Sequence, residues 1–136
     1  QPRSRGLGDV YKRQIHIHGT RDRLQKYNHS DGDFLSTIES VNYWAKYNQF
    51  DIKVVENIED FHKKDGTTVE KHTYSKNNSN TQVIHFKVVK GGHLWLGSPI
   101  ADWLTLRLFF GRNNHEINSS KEIVDFFLKY KLSDFN

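Results

Sequence analysis

Two short segments hold residue types that could work together. One is His18-Gly19-Thr20-Arg21-Asp22 and the other is Gly91-Gly92-His93-Leu94-Trp95. Each follows a run rich in β-branched residues, so each reads as a loop delivered by a strand. A carboxylate that orients an imidazole, and an imidazole that takes a proton from a hydroxyl and returns it to a leaving group, are the working parts of acyl transfer. Asp before His is also the chain order of the last two triad members in α/β hydrolases, where the nucleophilic Ser comes earlier. Spacing alone does not carry the assignment, because Asp22 as a loop cap and His93 as an exposed turn residue is the simpler reading. The glycines beside His93 suggest a sharply bent backbone that leaves the ring exposed.

Other chemistry competes for the same residues. His16-x-His18 puts two imidazoles on one strand face, and Asp22 could be a third metal ligand. The plainer alternative is that His18 hydrogen-bonds locally in its turn and His16 is packed or at an edge. Trp44, Trp95 and Trp103 could form a carbohydrate-binding platform. Trp44 lies on an apolar helical stripe and Trp103 in an apolar stretch, so both are expected in the core, and only Trp95 reads as a surface aromatic. The chain has no Cys, which excludes a disulfide framework, a thiolate nucleophile and a Cys-based zinc site. No G-x-S-x-G occurs, and Ser98, although it follows Gly97, precedes a proline.

Charge points away from nucleic acid. The 136 residues carry a formal net charge of +4, with a pI near 9.3. Residues 1–14 (QPRSRGLGDVYKRQ) hold Arg3, Arg5, Lys12 and Arg13 against Asp9 alone, so most of the excess sits there. Residues 4–14 resemble one translated frame of a transposon-end adapter used in sequencing libraries. The 1–14 segment is therefore read as an adapter-like artefact, disordered, and set apart from the fold. The first residue is Gln and there is no Met, so the expectation is that the biological N-terminus lies upstream of Ile15. A mean hydropathy of −0.77 and the lack of a long apolar run exclude a membrane-spanning helix.

The elements that would position these loops come next. Ile15-His16-Ile17-His18 reads as a strand. Ser36 and Glu39 form a capping-box pattern for a helix running to about Tyr47, with Leu35, Ile38, Val41, Trp44 and Ala45 on one face. Ile52, Val54 and Val55 suggest a strand, followed by polar, loop-like residues from 57 to 64. Residues 67–75 and 81–89 read as strands joined by an Asn-rich turn, as in a hairpin. Residues 98–118 resist placement. Ser119-x-x-Glu122 is a second capping box, before a helix with Ile123, Phe126, Phe127 and Tyr130 on its apolar face. The order strand, helix, strand or strands, helix is α/β and fits the closing part of a sheet with active groups on loops after strand ends. Three clear strand patterns make a thin core, so the sheet is expected to be incomplete.

From Ile15 to about Leu132 the chain resembles the C-terminal part of polyhydroxybutyrate depolymerase-like esterases, a group that includes feruloyl and acetylxylan esterases. Four segments carry the resemblance. Residues 15–22 look like the family's strand plus HGTxD segment. Residues 39–48 (ESVNYWAKYN) are similar to its helix with a central Trp followed by Ala. Residues 65–69 (DGTTV) with 73–75 (TYS) look like its DGT-type strand. Residues 91–97 (GGHLWLG) resemble its GGHxWPG loop. The resemblance implies that residues 15–136 are the C-terminal portion of an α/β-hydrolase domain. It further implies Asp22 as the triad acid, His93 as the triad base, and Trp95 lining the acyl or alcohol pocket. The nucleophilic Ser and the oxyanion hole would lie upstream, leaving this chain alone inactive. No metal or organic cofactor is implied, and the substrate would be a small-molecule or polymeric ester. The parent would be secreted or periplasmic. A related α/β-hydrolase peptidase or dienelactone hydrolase shares the Asp and His loops and is the neighbouring alternative. Two features depart from the family pattern. Leu96 stands where Pro is usual, which implies a less rigid loop. No Cys follows the Trp helix, where Gln49 and Phe50 stand.

Overall fold

A computed structural model describes residues 13–30, 32 and 34–129. The adapter-like segment lies outside the described residues except for Arg13 and Gln14, and Tyr130 also lies outside them. Four strands form one mixed sheet: β1 (Gln14–Gly19), β2 (Ile52–Ile58), β3 (Thr68–Ser75) and β4 (Val83–Val89). Their order is β1-β4-β3-β2. β1 runs parallel to β4, while β3 is antiparallel to both β4 and β2. Gln14 pairs with Val83 inside the ladder, so the strand begins one residue before the expected boundary. Among the described residues, three α-helices complete the mixed α/β fold: α1 (Thr37–Tyr47), α2 (Leu104–Phe110) and α3 (Ser119–Leu128).

The sheet is covered on both faces. Ile84, Phe86 and Val88 alternate out of β4 toward one side, where they pack with Val69, Leu96, Ile117 and Phe126 of α3. The intervening residues face α1, whose Val41 and Ala45 meet Tyr74 and Val83. That second face also carries a row of three histidines in register across neighbouring strands: His16 on β1, His85 on β4 and His72 on β3. His85 is fully buried and its Nε2 lies 2.8 Å from the Tyr27 hydroxyl.

Local signals explain the helix ends. Ser36 and Glu39 form the expected reciprocal box at the start of α1. At its end, Gln49 N–H donates to the Lys46 carbonyl and Phe50 N–H to the Ala45 carbonyl, the pattern of a Schellman stop. Gln49 takes the left-handed conformation there, at φ 56. The α3 cap differs from the expected one. Asn118, not Ser119, is the N-cap, and its side chain accepts from Lys121 N–H. β2 extends through Ile58, past the point where polar composition suggested a loop. Its residues 53–57 are exposed, so polar side chains there keep their hydration. The unplaced stretch contains a 3-10 turn (Pro99–Asp102) and α2, whose Leu104, Leu108 and Phe109 are exposed. Trp103 is exposed too and does not belong to the core, contrary to the reading from its apolar neighbours.

Candidate active site at the ends of two parallel strands

Parallel neighbours present their carboxyl ends on the same edge of a sheet, so the loops that follow β1 and β4 must meet. They are stitched together by backbone. Thr20 N–H donates to the Val88 carbonyl and Arg21 N–H to the Gly91 carbonyl, both at 2.9 Å. Lys90 N–H donates to the Thr20 hydroxyl at 2.9 Å. On the far side, Gly92 N–H reaches the Arg112 carbonyl at 2.9 Å and His93 N–H the Phe110 carbonyl at 2.7 Å.

The glycines serve this close approach. A Cβ on Gly19 would sit 2.3 Å from the Gly91 carbonyl oxygen, and one on Gly92 would sit 1.9 Å from that of Phe110. Neither Gly91 nor Gly92 takes a positive φ. The sharp bend expected from their composition is therefore replaced by tight packing of three backbone segments.

Asp22 and His93 come together in this junction. Asp22 Oδ1 accepts from the backbone N–H of Leu24 at 2.8 Å and of Gln25 at 2.9 Å. Its Oδ2 lies 2.7 Å from His93 Nδ1. His18 Nε2 lies 3.1 Å from the same oxygen and donates to the Gln25 carbonyl at 3.0 Å. Four groups thus hold one carboxylate whose side chain is 2% exposed, while the His93 side chain is 47% exposed. Facing a carboxylate, Nδ1 carries the ring proton, which leaves Nε2 as the lone-pair nitrogen of the neutral imidazole. No described residue hydrogen-bonds that Nε2. The Phe110 ring lies beside the imidazole, 6.3 Å between centroids.

A recess of about 230 Å³ opens beside His93, walled by Ile17, Leu94, Trp95 and Leu96. Trp95 is 59% exposed, as its loop position suggests, and its indole N–H donates to the Ser120 hydroxyl at 2.9 Å. Leu96, which stands where the family has Pro, packs inward. It is buried in the core, and Gly97 behind it is held by the Asn114 carbonyl and the Asn113 side chain. Ser98 opens the 3-10 turn, away from any elbow between a strand and a helix.

The metal-ligand reading finds no convergent set. Among the described residues no three His, Asp or Glu side chains are grouped to hold an ion. His18 makes the local contacts expected of a turn residue, and His16 is half-buried with Nε2 3.2 Å from the Gln14 side chain. Burial, and then the neighbouring His18, lower the His16 pKa.

One cluster escaped the sequence entirely. His115 bridges Asp65 and Asp102, with 2.9 Å contacts at Nδ1 and Nε2. These bonds, Asp102 first, raise its pKa, and His115 is the leading cause that lowers that of Asp102. The DGT segment is thus less a strand than a turn, with Gly66 at φ 71, that anchors the 111–118 loop behind the site. Compared with protein-family models, curated proteins and solved structures, the chain matches none.

Proposed function

We propose that Asp22 and His93 are the acid and base of a serine ester hydrolase of the polyhydroxybutyrate depolymerase or feruloyl-acetylxylan esterase kind, whose nucleophilic Ser lies upstream of these residues. The observation that carries this reading is the 2.7 Å contact between a buried Asp22 carboxylate and the Nδ1 of a half-exposed His93. His93 Nε2 has no hydrogen-bond partner among the described residues, which supports a role in accepting a proton.

In the proposed reaction His93 Nε2 takes the proton of the Ser hydroxyl as its oxygen attacks the ester carbonyl. The imidazolium then gives that proton to the departing alkoxide, and a water repeats the sequence on the acyl-enzyme. Asp22 fixes the tautomer and stabilises the imidazolium. Trp95 lines the acyl or alcohol side, and no cofactor takes part. A secreted or periplasmic location belongs to the same proposal. The upstream gene sequence tests it. A G-x-S-x-G coded in frame before Ile15 supports the reading, and its absence from the full frame sinks it.

A further inference from the structure

A second cavity, of about 650 Å³, shares Asp22 as a wall with the recess beside His93. Six cations line it: Arg21, Arg23, Lys26, Lys90, Arg107 and Arg112. They converge from three places in the chain, the loop after β1, the end of β4 and the α2 region. Asp22 is the single acid in the lining, and its carboxylate is already taken by two backbone N–H groups and two histidines. Arg112 donates to the Gly66 carbonyl. The side chains of Arg21, Arg23, Lys26, Lys90 and Arg107 make no hydrogen bond or ion pair with another described residue. Asp102 feels the Arg107 charge but is held by His115 and Asn113. Elsewhere Lys71 pairs with Glu56, Lys87 with Glu70 and Lys121 with Asp125.

Like charges left unpaired among the described residues around one concavity repel each other and focus a positive potential on it. Arginine forks fit carboxylate and phosphate oxygens in pairs. Leu104 and Leu108 add an apolar wall, and the volume falls in the range of small-ligand sites. We propose that this cavity binds the oxoanion groups, carboxylate or phosphate, of a small multivalent anion. Resting on the ester-hydrolase reading, it further assigns the substrate as an ester that bears such groups, with the anionic part held here and the scissile carbonyl at His93.

Calorimetric titration of the 136-residue chain with citrate, and separately with inorganic pyrophosphate, tests the binding. At low salt one or both are expected to bind with a Kd of about 1 mM or tighter, and added salt should weaken the binding. Neutral triethyl citrate and the double variant Arg21→Gln/Arg107→Gln should each bind roughly tenfold more weakly. Lys121→Gln, on α3, should change nothing, and circular dichroism checks that the variants fold. Citrate alone binding points to carboxylate esters, and pyrophosphate alone to phosphate-bearing ones. No binding of either up to about 10 mM, equal binding of the neutral ester, or an unaffected double variant overturns the proposal. So does a single-stranded oligonucleotide that outcompetes both anions and loses its binding in the same variant. The titrations read binding by the 136-residue chain and need no hydrolysis, so failure of the anion site and failure of the ester-hydrolase reading are separable outcomes.

Discussion

Asp22 and His93 differ in what they owe the fold. Removing the buried carboxylate strands two backbone donors and two imidazoles, so Asp22→Ala is expected to cost about 3 kcal/mol in denaturant unfolding. His93 is half-exposed, and His93→Ala should cost less than about 1 kcal/mol. A small cost of this kind, beside a locked carboxylate, is what the proposed role of His93 as a base requires. Gly92→Ala should destabilise by more than about 2 kcal/mol, because its Cβ would overlap the Phe110 carbonyl. The pairing of Asp22 with His93 was expected from the resemblance of their two segments, while chain order and loop position alone left it open. The reason for the glycines was not, because they answer to segments that are remote in sequence and meet only in the folded chain.

Among the elements, α1 was legible to its ends because its signals are local: a capping box, a 3.6-residue stripe and a polar stop. Its one strained residue gives a clean test. Gln49→Gly should stabilise the protein by about 0.5–1 kcal/mol, since glycine adopts the left-handed stop without penalty. At α3 the rival caps separate by substitution, and Asn118→Ala should cost about 1 kcal/mol through its lost bond to Lys121 N–H. Ser119 could be mistaken for the cap because a Ser three residues before a Glu is the usual signature, and Asn118 lies one residue earlier. α2 was illegible for a physical reason. Its apolar residues do not sort to one buried face, so no period announced a helix. The β3–β4 hairpin and the β1 strand were read from composition, but the sheet order was not. Only long-range pairing puts β4 between β1 and β3, and that order makes the two site loops neighbours.

The molecule as a whole carries opposing pH dependences. His85 lies inside the histidine row, faced by His16, His18, His72, Tyr27, Glu70 and Lys87. Burial first, then the charges of His16 and His72, pull its pKa down from 6.5 to about 3. The unfolded chain takes up that proton first, so stability should fall as pH drops below about 6.5 toward about 3. A His85→Gln variant should flatten that slope in denaturant titrations. His115 acts with the opposite sign. Its pKa is raised between Asp102 and Asp65, so its stabilisation is present below the ordinary histidine value and is lost as pH rises through the raised one. His115→Ala should therefore cost more at about pH 5.5 than at about pH 8.5. Neither effect touches the central claim, that Asp22 and His93 act as one acid–base unit. The direct measurement is p-nitrophenyl ester hydrolysis by the chain joined to its native upstream sequence, with Asp22→Asn, His93→Ala and the double variant. Each single change should lower kcat by roughly 10⁴, and the double change should lower it little further. Hydrolysis that survives His93→Ala, or losses that multiply in the double variant, would contradict it.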